Sequence, residues 1–215
     1  MKALFRSTFV LTLLVALARP GFAADASSLK PPPGAKVAIV MFEDLECPDC
    51  ARAYPVVWEA ANAHKIPVVL HDFPLPKHNW SFKAAVYARF FDTKSQQLGN
   101  DYRGFIYKNQ NLISDEGGLQ YYTKKFADDN KVPLPFAVDP DGSLTAKVRA
   151  DYDLGQKIGL EHTPTIFVIG QGGSASTPFV EVVDRDKLSE IIEDMQKKAG
   201  PATPVKAPAT KKKAG

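Results

Sequence analysis

The sequence predicts an α/β fold with a central mixed sheet and an inserted helical subdomain. Three observations carry that expectation. Two short apolar runs, residues 37–42 (VAIVMF) and 66–73 (IPVVLHDF), flank a stretch with helical spacing. About fifty residues after them carry no convincing strand pattern. A second strand pair then lies at 165–169 (TIFVI) and 179–183 (FVEVV), joined by a glycine-containing loop.

The first run is wholly apolar and rich in β-branched residues, as a buried central strand requires. Residues 51–64 place Tyr54, Val57, Trp58 and Ala61 at helical spacing. Pro55 falls inside them and is expected to bend the helix or mark an irregular first turn, because it removes a backbone donor. Pro74 and Pro76 cut off the second run. Strand, helix and strand in this order make a βαβ unit with a parallel, right-handed crossover.

The inserted helical subdomain spans about residues 78–131. Phe82, Ala85, Val86, Ala88 and Phe90 give one helix; Tyr102, Phe105 and Ile106, then Leu119, Tyr122 and Phe126, give more. Gly117-Gly118 is expected to break the run between them. Aromatic residues at such spacing are read as core. Asp139-Pro140-Asp141-Gly142 is a turn, and residues 143–158 are a helix with Leu144, Val148 and Leu154 toward a core. The strand pair at 165–183 is a hairpin. Residues 185–198 close the domain with Leu188, Ile191, Ile192 and Met195 on one helical face.

The ends read differently. Residues 1–24 have the pattern of a signal peptide: Lys2 and Arg6, an apolar stretch from Phe9 to Ala18, then small residues at Ala23 and Ala24. Arg19 and Pro20 stop that stretch short of the ~20 apolar residues that span a bilayer. The expectation is cleavage and a periplasmic or otherwise extracytoplasmic location, with no integral span in the mature chain. Residues 25–36 are a stiff leader containing Pro31-Pro32-Pro33-Gly34, 37–198 the folded domain, and 199–215 a Lys/Pro/Ala-rich tail expected to be disordered. The formal charge of +3 hides a segregation. Between residues 37 and 196, 16 lysines and arginines face 23 acids, whereas six lysines and no acid follow. An acidic body offers no electrostatic footprint for nucleic acid.

The only cysteines are Cys47 and Cys50, placed where the first strand meets the helix. Unpaired backbone N–H groups and the positive end of the helix dipole stabilise a thiolate there, the form that attacks disulfides. Cys47 is therefore the expected nucleophile at an exposed helix start, and Cys50, one turn inside, the resolving thiol. Pro48 suits the first helical position, where its missing N–H costs nothing. Asp49, Glu43, Asp44 and Glu46 should oppose the thiolate if they stay charged and near, giving a disulfide less oxidising than one framed by His or Arg. A structural bridge would gain little by closing so short a loop. A metal site would need further ligands, and His64, His71, His78 and His162 show no ligand spacing. The dithiol carries the chemistry itself, so neither metal nor cofactor is expected.

Phe42-Glu43-Asp44-Leu45-Glu46-Cys47-Pro48-Asp49-Cys50, the helical insertion and Glu161-His162-Thr163-Pro164-Thr165 together resemble the DsbA-like branch of the thioredoxin superfamily, over roughly residues 37–197. The resemblance implies a thioredoxin-like fold and thiol–disulfide oxidoreductase activity on Cys-containing proteins, recharged by a separate redox partner protein. It implies that Pro164 is cis beside the cysteines and that Thr163 pairs with substrate backbone. Many members of that branch bury an acid in the strand before the motif. Met41 occupies that region here, leaving Glu43 or Asp44 as substitutes. The alternatives are a non-catalytic envelope binding or chaperone-like module with a structural disulfide, and a glutathione-dependent enzyme.

Overall fold

In the computed structural model, residues 24–171 and 178–199 are described. The signal-peptide stretch up to residue 23, part of the hairpin loop and the tail from residue 200 lie outside them. Strand β1 (Val37–Glu43) is buried along its whole length and lies inside a four-stranded sheet. It pairs in parallel with β2 (Val68–Asp72) on one side and antiparallel with β3 (Thr165–Gly170) on the other. Beyond β3, antiparallel β4 (Phe179–Glu181) completes the order β2-β1-β3-β4. The sheet is mixed, as the βαβ unit followed by a hairpin requires.

Because alternate side chains point to opposite faces, β1 feeds two cores. Val37, Ile39 and Met41, with Ile166 and Val168 of β3, pack against helix α1 (Pro48–His64), the inserted helices and α6 (Leu188–Ala199). Ala38, Val40 and Phe42, with Phe167 and Ile169, pack with Phe73, Ile158 and Leu160 on the other face. Leader residues Ala26 and Leu29 are buried in that second core, and the Asp25 N–H donates to the Ile158 carbonyl at 2.9 Å. The leader stays out of the sheet, but it is a docked segment as well as a stiff one.

The insertion comprises α2 (Ser81–Asp92), α3 (Gln96–Asn109) and α4 (Glu116–Asp129); α5 (Ser143–Lys157) then leads back to β3. Phe91, Tyr102 and Phe126 meet with ring centroids 4.6–5.3 Å apart and form its core. Four expectations need correction. Gly117 and Gly118 break nothing. They lie in the first turn of α4, whose start is set by Asp115 accepting from the Gly118 N–H at 2.8 Å. Pro55 marks no irregular turn either, because α1 is helical from Pro48 through it to His64. Its one lost hydrogen bond is tolerated where Tyr54 and Val57 bury the helix face. The last helix, by contrast, is split, a 3-10 turn at Arg185–Lys187 preceding α6. Val183, expected in a strand, lies beyond β4 and is 90% exposed.

Gly155 of α5 tests the second core. A Cβ there would lie 2.5 Å from two ring atoms of Phe73, itself buried and stacked on Tyr152. Overpacking costs about 1–3 kcal/mol and outweighs the better helix propensity of alanine, worth up to ~1 kcal/mol. Gly155→Ala should unfold at lower urea concentration, with ~1–2 kcal/mol of stability lost. Unchanged or greater stability would show that the Phe73 ring does not pack there.

Candidate active site

Cys47 is the N-cap of α1, with extended backbone, and Pro48 is the first helical residue, as the sequence predicts from its missing donor. The turn before it closes through the Cys47 N–H donating to the Asp44 carbonyl at 3.0 Å. Both cysteines are free thiols. Cys50 is fully buried, while Cys47 keeps 7% of its surface, so the expectation of an openly exposed nucleophile needs correction. The loop before β3 covers it. The Thr163–Pro164 bond is cis, and Cys47 Sγ donates to the Thr163 carbonyl across 3.3 Å. Residues 116 positions apart in the chain thus meet at the sulfur. The Thr163 hydroxyl is buried without a partner and can donate to a Cys47 thiolate.

The two sulfurs differ sharply. Cys47 is pulled down from 9.0 to about 5, chiefly by the hydrogen bond from the Cys50 thiol. Burial opposes this, and backbone N–H groups of the first helical turn together with Thr163 reinforce it. Cys50 goes the other way, well above 9.0, because burial disfavours its charge and its proton is held by Cys47. The Asp44 N–H also donates to Cys50 Sγ at 3.4 Å.

The acidic neighbours each have partners of their own. Asp44 is a fully buried hub. One oxygen accepts from the Glu46 N–H at 2.8 Å and from the Ser81 hydroxyl; the other accepts from the Leu75 N–H at 2.7 Å and contacts His78 Nδ1 at 2.6 Å. Glu46 accepts from the backbone N–H groups of Trp80 and Ser81 at 2.7 and 3.0 Å. Gln110 donates to the Leu45 carbonyl at 2.8 Å. These contacts fasten the loop before Cys47 to the helical insertion, a function the sequence could not show. Asp49 accepts from Arg185 at 2.9 Å and pairs with Arg52 at 3.1 Å, and these hold its carboxyl below the usual range.

Glu43 ends β1 on the face of Met41, buried against α3. It accepts from the Tyr107 hydroxyl at 2.8 Å and pairs with Arg103 Nε at 2.9 Å. Burial raises its carboxyl to about 7 despite the Arg103 charge, and its charge is felt at Cys50. Arg103, 1% exposed, also grips Asp92 with both terminal nitrogens at 2.8 and 3.0 Å. Sequence reasoning missed Arg103, Tyr107 and Arg185, since lone polar residues in helical or loop segments carry no signal of a distant partner. Among the described residues, no three or more His, Cys, Asp or Glu are gathered to hold a metal ion.

A family model described as thioredoxin matches residues 32–194. The chain belongs to the thioredoxin family. Its fold is that of DsbA and ScsC proteins in solved structures. A doubly substituted variant of Wolbachia pipientis alpha-DsbA1 is similar at 16% identity, with 81% of this chain and 92% of that one covered and a TM-score of 0.62. Proteus mirabilis ScsC in a transitional conformation gives 20% identity, 78% and 71% coverage and a TM-score of 0.59. A periplasmic thioredoxin-like protein from Salmonella enterica serovar Typhimurium gives 17%, 78%, 87% and 0.59. No protein with a curated description matches the sequence. Cys47 and Cys50 thus form a thiol–disulfide active site of an oxidoreductase, not a bridge in a non-catalytic module.

Asp44 supports this site more than any other carboxylate. Asp44→Ala strands the buried Ser81 hydroxyl and the half-buried Leu75 N–H and should cost about 2–3 kcal/mol. Chemical denaturation checks this. A loss below about 0.5 kcal/mol would mean that the loop before Cys47 is held by other contacts.

Proposed function

We propose that residues 37–198 form an exchange domain that passes disulfides between itself and Cys-containing proteins outside the cytoplasm, with Cys47 as nucleophile and Cys50 as resolving thiol. The observation that carries this reading is the asymmetry of the pair: an acidified sulfur at the helix start, in contact with Thr163, above a buried sulfur that keeps its proton. In the reducing direction, the Cys47 thiolate attacks one sulfur of a substrate disulfide and the other sulfur leaves as a thiolate. Cys50 then loses its proton and attacks Cys47, forming the internal disulfide and releasing the second substrate thiolate. In the oxidising direction, a substrate thiolate attacks Cys47, and Cys50 leaves and takes up a proton. A second substrate thiolate then displaces Cys47. Electrons end on the dithiol, and a separate redox partner must remove them.

Thr163 and Pro164 border the sulfur that forms the mixed disulfide, and backbone at Thr163 is where an extended substrate segment would pair. Glu43, poised near neutrality behind Cys50, is the group suited to hold the Cys50 proton while the internal bond breaks or forms. Pro48 and Asp49 complete the helix start. An extracytoplasmic location is supported by the pattern of residues 1–24 and by likeness to a protein described as periplasmic. Among the described residues no helix is long and apolar enough to cross a membrane.

Insulin reduction driven by dithiothreitol tests the reading. Cys47→Ser should abolish exchange, and Cys50→Ser should accumulate a mixed disulfide through Cys47. Undiminished turnover in Cys47→Ser would refute the assignment.

A further inference from the structure

Asp49 sits between the two cysteines, and its own backbone N–H is one of the groups stabilising the Cys47 thiolate. A bare carboxylate in that position would oppose the same thiolate. The carboxylate is not bare. Its Oδ1 receives Arg52 Nη2 at 3.1 Å from the same helix and Arg185 Nη2 at 2.9 Å from 136 residues away. The two guanidiniums are not equivalent. The Arg52 side chain is 67% exposed and that of Arg185 only 32%. Arg185 is also delivered by folded backbone: Asp184 accepts from the Asp186 N–H at 3.0 Å at the start of the 3-10 turn, and buried Leu188 follows. Ordering it therefore costs less than ordering a long side chain on an open helix face. Its charge is felt by Cys50 as well as by Asp49, and Asp186 is the acid that faces it from its own turn.

We propose that Arg185 is a positioning residue for thiol–disulfide exchange, cancelling the Asp49 carboxylate beside Cys47 and thereby making the Cys47–Cys50 disulfide a stronger oxidant. The inference rests on the exchange reading above and adds a residue to it. Reduction takes two electrons and one proton from a dithiol donor, such as a pair of glutathione thiols. It breaks the S–S bond and leaves Cys47 as thiolate and Cys50 as thiol. Whatever stabilises that thiolate stabilises the reduced form and raises the potential. Arg185 acts mainly through Asp49, its hydrogen-bonded partner, with a smaller direct reach to Cys50, and that route makes a specific prediction.

The experiment is a double-mutant cycle on the full chain. The equilibrium constant against glutathione and the pH profile of thiolate ultraviolet absorbance are measured for wild type, Arg185→Ala, Asp49→Asn and the double variant. Arg185→Ala should shift the equilibrium toward the disulfide roughly three- to fivefold, up to about 20 mV, and move the Cys47 midpoint upward. In the Asp49→Asn background the same substitution should change the constant less than about twofold. Arg185→Lys should recover most of the loss, and salt at about 1 M should shrink the wild-type advantage. Equal effects of Arg185→Ala in both backgrounds, or no effect in a variant with native circular dichroism, would overturn the proposal while leaving exchange at Cys47 intact. Should wild type fail to exchange with glutathione at all, the exchange reading fails. The absorbance cycle then still decides whether Arg185 acts through Asp49.

Discussion

Cys50 lies one turn inside α1, where its sulfur is closed off from water and cannot keep a charge. Its proton is donated to Cys47, and that bond between the two thiols sets the direction of everything at the site. In the reduced pair, Cys47 is the sulfur that ionises first because Cys50 holds its proton. The helix start supplies the remaining donors, and Thr163, before the cis bond to Pro164, offers the thiolate its hydroxyl and accepts from the thiol form at its carbonyl. A single turn of helix and one loop therefore suffice for the chemistry. The rest of the fold keeps them in register.

That register is maintained by polar contacts, at some cost. Glu43, Asp72, Asp92 and Asp151 meet Arg89 and Arg103 between the sheet and the insertion, with His71 at the edge. Burying such charges gains little net stability over an apolar core, and its recognised use is specification of geometry. Here it locks α2 and α3 to the ends of β1 and β2, directly behind the cysteine motif. The carboxylates outnumber the guanidiniums, which fits with one of them, Glu43, being pushed up to about 7. Burial in this cluster leaves Glu43 poised near neutrality, with its charge felt at Cys50.

Much of this was legible in the sequence where local pattern and local chemistry agree. Residues 37–42 read as a buried strand because nothing polar interrupts them, and Cys47 read as the start of a helix because Pro48 suits the first helical position. The errors share a physical origin. Gly117 and Gly118 looked like a breaker because propensity was weighed without the Asp115 cap. The partners of the acids around Cys47 stayed hidden because they lie up to 136 residues away. Spacing reveals neighbours on one element; it does not reveal that Asp44 will find Leu75, His78 and Ser81, or that Asp49 will find Arg185. The closing of the Thr163 loop over Cys47 is of the same kind.

The chemistry of the pair requires Cys47 to be ionised while Cys50 is not. Titrating the thiolate absorbance of the reduced protein, with Cys47→Ser as reference, measures this directly. A single step near pH 5 that disappears in Cys47→Ser is the expected result. The depressed value also makes the reduced fold gain stability from Cys47 that is full above about pH 9 and fades as pH falls toward 5. A first step near the ordinary thiol value of 9.0, or one that survives in Cys47→Ser, would contradict it.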